Sequence, residues 1–287
     1  KRKEMKRITI KFLTTLLFST LAFVPLTTFS AEENPLPGEG TTVAELDRVV
    51  DEDRPTLSAD AAFMSQYVWR GYGYSKDSLV IQPSVTAGYK GFSMLIWGNL
   101  DTDYAFEPYK GEAKWNETDL AIYYGHSFGM VGLEAGFVYY ALEGMDDSKE
   151  FFLSVGLDAI LAPTLTVYRE ISKYQGWYIA LGLGHSFELP YDMLLNLAGT
   201  FGYYYSNNDN MMEYNSDLMP TENRFSGLHD GLLSVGLTIP FWKYFTVTPS
   251  MSYAFPLSHQ ADNELQALSL DGKANHLFGG VTLSMAF

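Results

Sequence analysis

The chain ends in LFGGVTLSMAF (residues 277–287), where apolar side chains recur at every second position. Val281, Leu283 and Met285 fall on one face of an extended segment and lead to Phe287, the last residue. Adjacent side chains of a β-strand point to opposite faces of a sheet. This period of two therefore predicts a strand with one apolar face that ends in an aromatic ring.

The same alternation recurs along the chain from residue 61 onward. In the segment 79–89, for example, Leu79, Ile81 and Val85 occupy one face and polar residues occupy the other. Eleven segments of this kind, together with a first strand near residues 61–70, predict twelve strands, an even number. Pro83 and Pro249 fall inside two of them, and because a proline removes a ladder hydrogen bond, we expect a bulge or an irregular register there.

The connections between the predicted strands alternate in length. The even-numbered ones have five residues or fewer, at 90–91, 129–130, 161–163, 188–192 and 241–244. The odd-numbered ones are mostly long and polar, at 71–78, 103–117, 142–149, 173–176, 206–230 and 256–274. This alternation is typical of outer-membrane barrels, and a soluble sandwich has no reason to obey it. The sequence therefore predicts a closed antiparallel transmembrane β-barrel of about twelve strands, with short periplasmic turns and longer extracellular loops.

Composition excludes several other classes of protein. The chain is 47% apolar and 15% aromatic with only 18% charged residues, which excludes intrinsic disorder. No stretch reaches the roughly 18 consecutive apolar residues that a membrane-spanning helix needs. The chain has no cysteine, which excludes a disulfide framework and thiolate chemistry.

The first sixty residues differ from the rest and divide into two parts. Residues 1–30 combine a basic start, an apolar segment at 12–24 and a small-residue site before Ala31, which is the pattern of a secretory signal peptide. Its removal would leave a net charge of −20, which argues against nucleic acid or anionic lipid as a general partner. Residues 31–60 are acidic and lack aromatics, and we expect a periplasmic tether or, alternatively, a plug in the lumen. The barrel is expected over 61–287.

Aromatic residues near the strand ends predict two belts at the membrane interfaces. The periplasmic belt is expected to include Phe128, Phe187, Trp242 and Phe287. The extracellular belt is expected to include Tyr67, Trp69, Tyr139, Trp177, Tyr203 and Tyr253. A terminal aromatic residue on the lipid-facing side is also what the bacterial barrel assembly machinery recognises, so we expect that machinery to bind the last strand.

The inward faces of the predicted strands hold the candidates for function. Counting in steps of two, the residues expected to line the lumen and set its selectivity are Arg70, Trp97, Asp101, Asp119, Glu134, Asp158 and Glu170. Twelve strands lie between the eight-stranded barrels that side chains fill and the 16-stranded porins, so we expect a narrow pore. One arginine among five carboxylates favours cations or neutral polar solutes, because Asp and Glu repel anions. The alternative role for Arg70 is a salt bridge that braces the first strand.

Histidine and serine pairs raise the alternative of an enzyme, because some hydrolases of this architecture use them. In His126-Ser127 and His185-Ser186, however, neighbouring strand residues point to opposite faces, so neither histidine can orient its serine. His229-Asp230 and His276 lack a recognisable spacing and are expected to be ordinary loop residues. The oxygen-rich loop 207–217 lacks the order of a calcium-binding loop. We therefore expect no enzyme activity, no metal and no cofactor.

Three short motifs open the predicted barrel: Ser65-Gln66-Tyr67-Val68-Trp69-Arg70-Gly71, Ile81-Gln82-Pro83-Ser84 and Gly91-Phe92. Together they resemble the opening of the TorF-like family of outer-membrane porins of Gram-negative bacteria. The first strand of that family typically ends in a Ser-x-Tyr-x-x-Arg-Gly pattern. The resemblance covers about the first three predicted strands and implies a small channel. It also implies that Arg70 is the family's arginine at the end of the first strand.

These observations predict a channel in the bacterial outer membrane for passive diffusion of small polar or cationic solutes. Two alternatives remain: a hydrolase acting on lipid or peptide, and a structural or adhesive barrel that binds partners through its long loops. The expected partners are outer-membrane lipid, the barrel assembly machinery and small solutes, and nucleic acid is not among them.

Overall fold

A computed structural model describes residues 54–287 of the chain. The expected signal peptide and residues 31–53 of the expected tether or plug lie outside the described residues. The described part contains one α-helix, α1 (His259–Leu268), and sixteen strands. The strands are β1 (Thr56–Met64), β2 (Val68–Trp69), β3 (Tyr72–Gly73), β4 (Val80–Tyr89), β5 (Phe92–Asp101), β6 (Lys114–Phe128), β7 (Val131–Leu142), β8 (Ser148–Leu157), β9 (Thr164–Glu170), β10 (Gly176–Leu189), β11 (Met193–Ser206), β12 (Met212–Tyr214), β13 (Pro220–Arg224), β14 (Ser226–Trp242), β15 (Phe245–Pro256) and β16 (His276–Ala286).

Twelve of these strands form a closed barrel in the order β1-β16-β15-β14-β11-β10-β9-β8-β7-β6-β5-β4. All neighbouring strands are antiparallel, and β1 closes the barrel by pairing with both β16 and β4. In the closing pair Phe63 faces Val281 and Ala61 faces Leu283. The other four strands form two small hairpins, β2–β3 and β12–β13. Closure leaves no unpaired sheet edge for lipid to meet. The predicted fold class is confirmed.

The two faces of the barrel differ as the period of two predicts. Ile96 and Ile122 are exposed on the outer surface, whereas their strand neighbours Trp97 and Tyr123 are buried inside. The main hydrophobic cluster therefore lies within the lumen. Its large members are Tyr123, Tyr140, Phe152, Tyr168, Tyr178, Tyr204 and Phe225.

The connections divide the barrel into two unlike ends. At one end, which we call the turn end, they span 90–91, 129–130, 158–163, 190–192 and 243–244. At the other, which we call the loop end, they span 65–79, 102–113, 143–147, 171–175, 207–225 and 257–275. Lys90 and Gly91 form one of the tight turns with φ of 51° and 81°, the left-handed backbone that a two-residue hairpin turn requires.

Pro83 and Pro249 interrupt the ladders without shifting them. Pro83 pairs with Ala61 of β1 on one side. On the other side, the β4–β5 ladder has no residue pair at Pro83 but keeps the same register before and after it. Pro249 pairs with Val281 of β16, and the β14–β15 ladder behaves in the same way. Neither proline is therefore accompanied by a bulge, although one ladder loses its pairs beside each of them. The register shifts of the barrel lie elsewhere, between Asn99 and Leu100, Phe201 and Tyr203, and Pro240 and Trp242.

The first strand also differs from the prediction. β1 begins at Thr56, inside the expected tether, and ends at Met64. Residues 65–79, which we call the inward hairpin, then turn into the lumen and contain β2 and β3. Arg70 and Gly71 at the tip have φ of 47° and 84°, and a strand cannot pass through left-handed backbone. Arg70 thus lies in the lumen at the tip of a hairpin and not at the end of the first barrel strand.

Tyr67 and Trp69 consequently do not belong to the extracellular aromatic belt. Tyr67 is buried, and its ring centre lies 5.7 Å from that of Trp97. Trp69 packs edge-on against Tyr140 inside the barrel, with ring centres 5.9 Å apart. Trp177, Tyr203 and Tyr253 are exposed at the loop end, on the outer surface where they were expected.

Helix α1 closes over the inward hairpin from the last long connection. Leu265 of α1 is buried and packs against Tyr72 of β3. Just after the helix, Ser269 Oγ accepts a hydrogen bond from the Gly73 amide at 3.0 Å. The Leu270 amide donates in turn to the carbonyl of Gly73 at 2.9 Å. The inward hairpin and α1 therefore form one plug at the loop end. Within residues 54–287 no helix has the length and apolar character needed to cross a membrane.

Candidate functional site

The lumen contains four of the five carboxylates that were expected there. Asp101, Asp119, Glu134 and Glu170 are buried on the inward faces of β5, β6, β7 and β9. Asp158 lies instead in the connection after β8, half-buried at the turn end. The five residues thus follow the barrel from one end to the other. Glu134 of β7 pairs with Gly125 of β6, which lies six positions along the strand from Asp119. The two carboxylates therefore differ in level by roughly 20 Å along the barrel wall. Their role in selectivity stays a prediction.

Each of these five carboxylates has a buried oxygen with no hydrogen-bond partner among the described residues. Asp119 is the extreme case, because it is 1% exposed and both of its oxygens are unpaired. Asp101 is held on one side only, where Oδ1 accepts a hydrogen bond from Ser78 Oγ at 2.6 Å. A buried carboxylate oxygen costs free energy unless a donor or a cation reaches it, so these oxygens mark positions where the lumen could hold water or a cation.

On strands β5 to β9, sequence reasoning missed two further inward carboxylates, Glu117 and Glu150. Both are buried, and both lie close to the loop-end limit of their strands, β6 and β8. Counting in steps of two would have found both. Glu117 was lost because the predicted loop 103–117 extended too far along the chain, whereas Glu150 lies just beyond the predicted loop 142–149 and was overlooked. Glu117 shares the inward face of β6 with Asp119, two residues away.

Arg70 reaches from the tip of the inward hairpin to β8. Its Nη1 and Nη2 donate to Oε1 and Oε2 of Glu150, each at 2.8 Å, so the ion pair is bidentate. The hydroxyl of Tyr140 donates to the same carboxylate, at Oε2, again at 2.8 Å. Both members of the ion pair are buried. Arg70 is therefore paired with Glu150, which was not one of the five carboxylates expected in the lumen.

A second buried cluster ties α1 to the barrel wall. Tyr72 Oη donates to Glu264 Oε1 at 2.6 Å, and His229 Nε2 lies 3.1 Å from Glu264 Oε2. His229 Nδ1 lies 2.9 Å from Asp230 Oδ1, which also accepts from Tyr178 Oη at 3.1 Å. His229 and Asp230 are therefore buried residues of β14, and our expectation that they are ordinary loop residues is wrong. No sequence pattern indicated this cluster, because Glu264 lies in α1, within a connection that was expected to be a loop.

The lumen near the turn end is polar but mostly uncharged. Ser186 Oγ donates to Asn196 Oδ1 at 2.5 Å, and Asn196 Nδ2 donates to Thr238 Oγ1 at 3.0 Å. Thr248 Oγ1 adds a contact to Thr238 Oγ1 at 3.4 Å. Hydroxyl and amide groups of this kind can exchange partners with a passing solute, because each can donate or accept.

The aromatic residues expected at the periplasmic belt lie on the outer surface at the turn end. Phe128, Phe187, Trp242 and Phe287 are all exposed there. The rings of His126 and His185 pack edge-on against Phe128 and Phe187, in both cases with ring centres 4.6 Å apart. Ser186, by contrast, is buried inside the barrel. Histidine and serine thus lie on opposite faces, as the strand geometry predicts.

The described residues offer no evident metal centre. Within 54–287 no group of three or more histidine and carboxylate side chains is arranged to hold an ion. In the oxygen-rich loop 207–217, Asp209 pairs with Arg224 at 2.7 Å and Asn215 Oδ1 accepts from local backbone amides. These oxygens are thus engaged in holding the loop.

Neither the family models nor the curated proteins searched match this sequence, so the resemblance to the TorF-like group stays an expectation. Among solved structures, the NanC porin is similar with a TM-score of 0.50 and 10% identity, covering 80% of this chain and 98% of that one. OmpF of Salmonella typhi, in complex with daunomycin, gives a TM-score of 0.38 and 9% identity, covering 82% and 97%. The likeness to NanC shows a shared barrel fold, and at this identity it shows nothing further.

Proposed function

We propose that the chain forms a narrow channel in the bacterial outer membrane for small cations and neutral polar solutes. The observation that carries the proposal is the series of carboxylates with unpaired oxygens, from Asp101 at the loop end to Asp158 at the turn end. Such oxygens attract cations and repel anions, and their effect is strong where the surroundings exclude bulk water. The hydroxyl and amide groups near the turn end suit the passage of polar solutes.

The loop end of this path is occupied in the described conformation. The inward hairpin and α1 fill it, and inward side chains such as Trp97 and Tyr140 are buried. Passage therefore requires the inward hairpin to move away from the wall. We expect brief openings rather than the steady large conductance of a wide porin.

Selectivity measurements test the proposal. We expect the wild-type channel to prefer cations, and more strongly at low salt, because the Debye length grows from about 10 Å at 0.1 M to about 30 Å at 0.01 M. The double substitution Asp119→Asn/Glu134→Gln should weaken that preference without unfolding the barrel, since lumen substitutions tune selectivity. The measurement is the reversal potential of a planar bilayer across a KCl gradient.

A matched control removes the same number of charges outside the lumen. Asp217→Asn/Glu222→Gln neutralises two exposed loop carboxylates and should leave the reversal potential near that of the wild type. An anion-selective wild type would contradict the proposal. Equal reversal potentials for the wild type and the lumen variant would contradict it as well.

Two further parts of the proposal concern the membrane. The exposed aromatic residues at the turn end, including Phe128 and Trp242, suit an interface with lipid. Phe287, exposed on the outer surface beside β16, suits recognition by the barrel assembly machinery. No observation favours the hydrolase alternative, because His126 and His185 contact phenylalanine rings rather than a nucleophile.

A further inference from the structure

We propose that the lumen wall around Glu150 is a binding site for cations that carry a guanidinium group, and that Arg70 occupies it as a ligand tethered to the same chain. The inference rests on the proposed channel function and names a class of solute that the channel would recognise. Its evidence is the arrangement of four wall side chains around the Arg70 guanidinium.

The wall side chains come from four consecutive strands. Tyr140, Glu150, Tyr168 and Tyr178 belong to β7, β8, β9 and β10, and Tyr168 faces Tyr178 directly across the ladder. The Cζ atom of Arg70 lies 4.7 Å from the Tyr168 ring centre and 4.1 Å from that of Tyr178. Both distances fall within the roughly 6 Å over which an aromatic face attracts a cation. Two rings and a bidentate carboxylate together form a cage for a planar cation.

The hydrogen bonds between the wall and Arg70 involve only atoms that any guanidinium would supply. The two terminal nitrogens Nη1 and Nη2 bond to Glu150, whereas the buried Nε finds no acceptor among residues 54–287. Nε is where the arginine stem joins the guanidinium. A free guanidinium cation could therefore make the same two hydrogen bonds and the same ring contacts.

The cage holds its shape through contacts that do not involve Arg70. Tyr140 Oη donates to Glu150 Oε2 at 2.8 Å, and Tyr178 Oη donates to both oxygens of Asp230 at 3.1 Å. These hydrogen bonds orient the carboxylate and one of the rings from the wall itself. A site preorganised in this way binds without first paying for the ordering of its own groups.

The inward hairpin presents Arg70 in the first position of its two-residue turn, where left-handed backbone is required. Its φ of 47° is left-handed, which few residues other than glycine adopt. The ladder that supports the tip has two residue pairs, Val68 with Gly73 and Trp69 with Tyr72. The hairpin adds one contact to the guanidinium, the Trp69 ring with its centre 4.3 Å from Cζ, whereas the wall supplies both hydrogen bonds and two rings. Most of the contacts that hold the guanidinium thus come from the wall, as expected of a ligand that competes with a solute for one site.

Binding to a variant that lacks the tethered guanidinium tests the inference. Folded Arg70→Ala protein in detergent micelles is titrated with ethylguanidinium chloride and followed by isothermal calorimetry. We expect saturable binding at one site per chain, and at least about tenfold weaker binding in the wild type, whose own arginine fills the cage. Adding Glu150→Gln to Arg70→Ala should weaken binding by about tenfold or more, because it removes the charge from both hydrogen bonds. Arg224→Ala, which removes an exposed arginine, is the matched control and should behave like the wild type.

The remaining outcomes also decide the matter. Folded Arg70→Ala that shows no saturable binding, or that binds ethylguanidinium no better than ethylammonium, would overturn the inference.

If Arg70→Ala does not fold alone, refolding is repeated with each probe, and the folded state is detected by its gel mobility before heating. Rescue by ethylguanidinium but not by ethylammonium supports the site, and no rescue or equal rescue overturns it. Calorimetry measures binding and needs no current through the channel. A protein that fails to conduct would therefore contradict the proposed function without affecting this test.

Discussion

Replacing Glu150 by glutamine keeps the shape of the side chain and an acceptor for Tyr140, but it leaves Arg70 without a charged partner. Arg70 is only 6% exposed, so its charge cannot turn to bulk water. Removing one partner of a buried ion pair costs about 3–5 kcal/mol, because the other charge stays uncompensated. The ring contacts to Arg70 persist in the variant, and the glutamine oxygen still accepts one hydrogen bond. We therefore expect the lower part of that range, a loss of about 3 kcal/mol in the free energy of unfolding.

The assay is equilibrium unfolding by urea in lipid vesicles, followed by tryptophan fluorescence. The double variant Arg70→Met/Glu150→Gln removes the uncompensated charge, and we expect it to cost only about 1 kcal/mol relative to the wild type. The double variant should thus be about 2 kcal/mol more stable than the single variant Glu150→Gln. Asp209→Asn breaks the exposed pair with Arg224 and should change stability by no more than about 0.5 kcal/mol.

Two results would refute this reasoning. The first is a Glu150→Gln variant whose stability lies within about 0.5 kcal/mol of the wild type, since the pair would then contribute little. The second is a double variant as unstable as the single one. In that case the loss would come from the shape of the site and not from a buried charge.

The remaining predictions concern the hairpin and assembly. Gly71→Ala should loosen the inward hairpin, because φ is 84° and an added Cβ would lie 2.9 Å from Asp230 Cβ. The Tyr74 amide, which donates to the Tyr67 carbonyl, should then exchange hydrogen faster, whereas Gly227→Ala, where a Cβ meets open space, should not alter it. Equal exchange in the two variants would contradict the expectation. Phe287→Ser should slow folding by the purified assembly machinery several-fold more than the loop variant Phe106→Ser, because Phe287 is exposed on the outer surface beside β16. Equal rates for the two variants would contradict recognition of the Phe287 ring.

The barrel itself could be predicted from sequence because its physical constraint is local. Every spanning strand must show an apolar face to lipid, so residues such as Ile96 and Ile122 repeat with period two wherever the chain crosses. The same rule misled us at Tyr67 and Trp69, which continue the alternation of β1 but belong to the inward hairpin. An aromatic residue at that spacing suits a lipid interface and a packed lumen equally well, so periodicity alone could not separate the two.

The contacts of the plug could not be predicted, because they join residues that are distant in the chain. Arg70 and Glu150 are 80 positions apart, and His229 and Glu264 are 35 apart. Both pairs depend on a loop that folds back into the barrel. Glu264 lies in α1, a ten-residue helix within a connection that we expected to be an extracellular loop. Strand periodicity carries no information about where such a loop goes.

The position of Arg70 also links opening to selectivity. Arg70 is the one lysine or arginine buried in the described part of the chain, and it lies in a lumen with six buried inward carboxylates on β5 to β9: Asp101, Glu117, Asp119, Glu134, Glu150 and Glu170. When the inward hairpin holds its place, one positive charge neutralises Glu150. When the hairpin withdraws, that charge leaves with it, while the six carboxylates of β5 to β9 stay on the wall. The open lumen is therefore more acidic than the closed one, so the state that conducts is also the state that attracts cations most strongly.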